Sequence, residues 1–120
     1  MRGLAAFMKR ICLSHKRLLD YALGVRTPAA YFRALRRYTT LPVSHLVRQD
    51  VLLMAGGEDH YVPRAQFTRQ IVALTGARSV TGRLFTREEQ AQNHCQVGNV
   101  GLSLRVMVDW IEQASREHRV

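Results

Sequence analysis

The sequence predicts an α/β fold, a small parallel sheet with helices, preceded by a basic helical segment. Three observations predict it. The run "VLLMA" (51–55) is apolar at consecutive rather than alternate positions and is closed by Gly56-Gly57, which suits a strand buried on both faces. "RSVTGRLF" (78–85) alternates well enough for a second strand. Between them, "RAQFTRQIVAL" places Phe67, Ile71 and Leu74 on one helical face. A crossover helix between two strands of one sheet leads to parallel pairing.

The remaining elements follow in chain order. Residues 3–23 read as a helix, with Leu4, Met8, Ile11, Leu18 and Ala22 near one face and Gly24 as its stop. Thr27-Pro28 provides a cap and a first-turn proline for a second helix, "AAYFRALRRY". "TTLPVSHLVRQD" is a polar connector to the first strand. Pro63 opens the crossover helix and Gly76 lies just past its end. Thr86 and Glu89 in "TREE" have the form of a capping box, opening a short helical turn. Asn99 then caps a final amphipathic helix marked by Val100, Leu104, Met107 and Ile111, with Trp110 beside them, and the tail "SREHRV" reads as frayed. A sheet this small leaves at least one edge unpaired.

The 120 residues suffice for one small domain in two segments, a basic helical segment over 1–50 and an α/β segment over 51–120. A hydrophobic content of 47% against 22% charged residues argues against wholesale disorder. Apolar runs of only about five residues exclude a membrane-spanning helix, which needs ~20, and charges break up any secretory leader in "MRGLAAFMKRICLSHKRLL". Two cysteines, Cys12 and Cys95, are too few for a disulfide framework, so a reducing, cytoplasmic setting is expected. The net charge of +9 is uneven: residues 1–50 carry ten Lys/Arg against two acids, residues 51–120 eight against seven. A basic, Arg-rich amino-terminal half is one route to nucleic-acid or anionic-membrane binding. A solvated outer face explains the same charges and is preferred.

Ligands of open parallel sheets gather at the carboxyl ends of the strands. Asp59 lies just past the end of the first strand and His94 in the loop after the second, so the two can converge although 35 residues separate them. A carboxylate accepting an imidazole N–H fixes the tautomer and stabilises the imidazolium formed during acyl transfer. Glu58 is an alternative acid. Cys95 beside His94 invites a thiol nucleophile, but chain neighbours point apart and a small buried residue is the preferred reading. His15, His45, His60 and His118 lack zinc-binding spacings, so no metal is expected.

These residues carry a resemblance. "VLLMAGGEDHYVP" resembles the α/β-hydrolase segment in which a strand runs into Gly-x-x-Asp-x-x-Val-Pro, here Gly56, Asp59, Val62 and Pro63. "NHCQVGNVGLSLRVMVDWI" is similar to the segment where the triad histidine precedes the last helix, and "TPAAYFRALRRYTTLPVSHLVRQD" to the return from the lid in dienelactone-hydrolase-like and dipeptidyl-peptidase-like members. The resemblance spans roughly residues 25–113 and implies Asp59 as triad acid, His94 as triad histidine, two lid-like helices at the start, and hydrolysis of a carboxylic ester or amide without a cofactor. The family's nucleophile motif, Gly-x-Ser-x-Gly, is missing: none of Ser14, Ser44, Ser79, Ser103 and Ser115 has both glycines. The expectation is therefore a truncated, carboxyl-terminal hydrolase unit, inactive alone, with a complementing amino-terminal portion or a second copy as partner.

Overall fold

The run "DVLLMAG" forms strand β1 (Asp50–Gly56) and "SVTGRLF" forms strand β2 (Ser79–Phe85), paired in parallel from Asp50 opposite Ser79 to Gly56 opposite Phe85. This computed structural model describes residues 23–117 apart from Arg26, so nearly all of the helix expected over 3–23 and the last three residues lie outside the described part. Two compact units, Met1–Thr39 and Thr40–Val120, are distinguished.

In the first unit, helix α1 (Pro28–Leu35) starts as expected. Thr27 Oγ1 accepts the Ala30 N–H at 3.1 Å, and Pro28 occupies the first turn, where its missing N–H costs nothing.

The second unit begins at Thr40, eleven residues before the start at Val51 read from the sequence, because the connector is tied to the α/β elements. A single 3-10 turn (Ser44–Leu46) buries Ser44, whose hydroxyl donates to Thr40 O at 2.8 Å and accepts from Gln70 Nε2 at 2.8 Å. Gly76 lets this turn sit close, since an added Cβ would lie 3.0 Å from Val47 O and nearer still to His45 O. Helix α2 (Arg64–Ala73) crosses over between the strands. At the amino end of the sheet Asp50 holds Arg78 in an ion pair and accepts from Ser79 Oγ at 2.7 Å.

Helix α3 (Val100–Glu117) completes a three-layer arrangement. Adjacent strand residues face opposite sides: Gly82 faces α2, where an added Cβ would meet Ile71 and Phe67, whereas the Thr81 hydroxyl accepts from Trp110 Nε1 of α3 at 3.1 Å. The helix keeps its form through Glu117 instead of fraying at Ser115, helped by the Gln113–Glu117 hydrogen bond and the Arg116–Glu112 ion pair. "TREE" makes a hydrogen-bonded turn over 87–90 rather than a helix, although Glu89 Oε2 does accept the Thr86 N–H at 3.0 Å, the returning half of a capping box.

The expected two-sided burial of β1 is not realised. Val51 through Ala55 are half-buried, and the buried apolar residues among those described are Leu74, Phe85 and Ala91. The reason is that β1 has one strand neighbour and each face is only partly covered by a helix. α3 likewise turns Leu102, Val106 and Trp110 inward but leaves Val100, Leu104, Val108 and Ile111 exposed. No helix among the described residues is long and apolar enough to cross a membrane. With so little core, Phe85, fully buried at 0% exposure, carries a large share of the stability. Phe85→Ala is expected to cost about 3–5 kcal/mol and to abolish a cooperative transition in chemical denaturation followed by circular dichroism.

Candidate functional site: a carboxylate–imidazole pair

The acid is built by local hydrogen bonds. Beyond β1 the chain is stitched sideways, Gly57 N–H donating to Phe85 O at 2.8 Å and Glu58 N–H to Gln92 O at 2.9 Å. Asp59 then folds its carboxylate over the following turn, and Oδ1 accepts the N–H groups of Tyr61 at 2.7 Å and Val62 at 3.0 Å. Aspartate suits this position because its short side chain mimics a backbone turn. Pro63 follows with φ −57° and leads into α2. With Oδ1 committed to the turn, Oδ2 meets His94 Nδ1 at 2.8 Å. The Asp59 side chain is only 6% exposed and that of His94 41%.

The base is delivered by a loop held under backbone strain. His94 opens a 3-10 turn (His94–Gln96) in which Cys95 (φ 54°) and Gln96 (φ 52°) are both left-handed, as is Gln90 (φ 56°) before it. Each such residue costs roughly 1–2 kcal/mol when it is not glycine. Tertiary contacts hold the loop in this form. Gly56 is the seat: an added Cβ would lie 2.6 Å from Asn93 O and closer to Gln92 O, and both are main-chain atoms that no rotamer change can clear. Asn99 clamps the far side, donating from Nδ2 to Glu89 O at 2.9 Å and accepting the Leu102 N–H at 3.2 Å. Glu89 in turn holds Arg83, which lies over the Phe85 ring.

Burial pushes the Asp59 carboxyl up, but the N–H of Val62, the bond from His94 and the N–H of Tyr61 together outweigh it and hold the carboxyl below its ordinary value. An ionised carboxylate only accepts, so Nδ1 carries the proton, and in the neutral ring Nε2 is left with a lone pair. Such an imidazole can take up a proton at Nε2 while its other nitrogen stays anchored. The Tyr61 ring meets the imidazole edge to face, centroids 4.9 Å apart, and the His60 ring lies tilted against Tyr61 at 4.0 Å.

The structure thus brings Asp59 and His94 together, and it separates the other candidates from them. Glu58 forms an ion pair with Arg87, which holds its carboxyl below the usual range. Cys95, read from the sequence as a small buried residue, is exposed: the left-handed turn that positions His94 swings the next side chain outward. The Ser44 and Ser103 hydroxyls are buried and hydrogen-bonded, and that of Ser79 is held by Asp50. Among the described residues no group of three or more His, Cys, Asp or Glu could hold a metal ion, while His15 and His118 lie outside them. Tyr61 is the contact that sequence reasoning missed, because no spacing rule reports a ring packed against a residue on a distant loop. No family model, curated protein or solved structure matches the chain.

Two outcomes follow from this geometry. A carboxyl held low in the folded state contributes stability that is complete above the ordinary carboxylate pKa of ~4 and is lost as pH falls through the depressed folded value. Denaturation midpoints are therefore expected to fall on acidification below about pH 4, and Asp59→Asn is expected to flatten part of that fall. Gly56→Ala, which forces main chain apart, is expected to cost about 1–3 kcal/mol by the same measurement.

Proposed function

We propose that this chain is the carboxyl-terminal part of a serine hydrolase of the α/β-hydrolase superfamily, contributing the triad acid Asp59 and the triad base His94. The observation that carries the reading is the 2.8 Å contact between Asp59 Oδ2 and His94 Nδ1, made by loops that leave the same end of two neighbouring parallel strands. It is supported by "GGEDHYVP" and by the final helix that follows His94.

In this reading the nucleophile is a serine outside these residues, since no Gly-x-Ser-x-Gly is present. Its hydroxyl oxygen attacks the carbonyl carbon of a carboxylic ester or amide while His94 Nε2 takes the hydroxyl proton. Asp59 holds Nδ1–H and stabilises the imidazolium. Collapse of the tetrahedral intermediate expels the alcohol or amine, which takes the proton from Nε2. Water repeats the sequence on the acyl-enzyme to release the acid. Donors for the oxyanion also come from outside these residues.

The test is complementation. The purified chain alone is expected to leave a nitrophenyl ester unhydrolysed, because acid and base without a nucleophile retain little rate. Combined with an amino-terminal hydrolase portion that carries the nucleophile elbow but lacks its own acid and histidine, it is expected to give turnover. His94→Ala should abolish that turnover, and Asp59→Asn should lower kcat by about 10⁴-fold. Turnover by the chain alone that is lost in His94→Ala would overturn the external nucleophile.

A further inference from the structure

We infer that Tyr61 is a positioning residue for His94. The inference rests on the acid–base reading of the pair, and it deepens that reading by naming what holds the base in register.

A single hydrogen bond fixes one atom of an imidazole, not its plane. The ring can pivot about the Nδ1···Oδ2 contact, and a pivot carries Nε2, the atom that must face an incoming hydroxyl, through the widest arc. The His94 side chain is 41% exposed, so protein walls restrain it on few sides. Tyr61 supplies a second restraint. Its ring lies 4.9 Å from the imidazole centroid at an interplanar angle of 67°, an edge-to-face arrangement with directional preference. The same residue reaches the acid by a separate route, its N–H donating to Asp59 Oδ1 at 2.7 Å. Tyr61 therefore ties both members of the pair into one rigid turn, the acid through its main chain and the base through its ring.

The exposure of Tyr61 argues against a role in the core. A residue 55% exposed at a loop tip stabilises the fold little, and its ring contacts include the imidazoles of His60 and His94. The His60 ring lies tilted against Tyr61, centroids 4.0 Å apart, and adds a second contact to that ring. The consequence for the reaction is geometric: a misdirected Nε2 lowers turnover without altering what the site binds.

The experiment reads the tautomer of His94 from its ring ¹⁵N shifts in the labelled chain at mildly alkaline pH. Bonding to Asp59 places the proton on Nδ1, whereas a released imidazole moves it toward Nε2. Tyr61→Phe is expected to retain the Nδ1–H form. Tyr61→Ala is expected to lower the ratio of bonded to released ring about two- to tenfold, with unchanged circular dichroism and an intact turn, since any residue at 61 still donates its N–H. An unchanged tautomer in Tyr61→Ala overturns the proposal, and so does loss of the Nδ1–H form in Tyr61→Phe, which would remove the ring contact as the cause. Asp59→Asn separates the two levels. If it leaves the tautomer of the parent chain unmoved, the pair itself is absent and the acid–base reading fails; if it shifts the tautomer while Tyr61→Ala does not, only the role of Tyr61 falls.

Discussion

The seat of the 92–93 main chain on Gly56 is the constraint on which the rest of the site depends. Only at a residue without a Cβ can a second loop come this near the end of a strand, with Asn93 O and Gln92 O inside the space a methyl group would fill. The approach lets Glu58 N–H reach Gln92 O, which locks the loop after β1 to the loop after β2. It also sets where His94 leaves the main chain, directly after the seated pair of residues. The left-handed Gln90, Cys95 and Gln96 and the buried amide oxygen of Gln92, which finds no hydrogen-bond partner, are costs the loop carries in that position. Local preference does not favour this conformation, so packing must impose it.

How much of this was legible in the sequence varied with the range of the forces involved. Both strands and the helices at 28–35, 64–73 and 100–117 are local patterns, and Thr27, Pro63 and Asn99 mark their starts through hydrogen bonds that span three or four residues. The turn acid at Asp59 is equally local. The meeting of Asp59 with His94 was legible for a different reason: parallel pairing puts the ends of both strands on one rim. Burial was misjudged. "VLLMA" has the composition of a strand covered on both faces, but coverage depends on neighbours that the described residues do not supply. Cys95 was misjudged because no glycine or asparagine flags its left-handed turn.

The two halves of the pair differ in how their electrostatics are secured. The Asp59 carboxylate is sheltered and gathers two backbone N–H groups besides the imidazole, so its charge is stabilised by fixed dipoles that salt screens weakly. The neighbouring pair of Glu58 with Arg87 lies in the open and contributes through charge that salt does screen. It nevertheless keeps a second carboxylate turned toward a guanidinium, which leaves the imidazole facing one acid.

The contrast between the turn around Asp59 and the loop around His94 has a consequence for assembly. The carboxylate takes its shape from N–H groups two and three positions away in the chain, so this bend depends on contacts that are local in sequence. The imidazole reaches its place only after both ribbons of the sheet have aligned and the glycine seat is filled. The acid thus takes its shape from near neighbours in the chain, whereas the base belongs to the architecture as a whole.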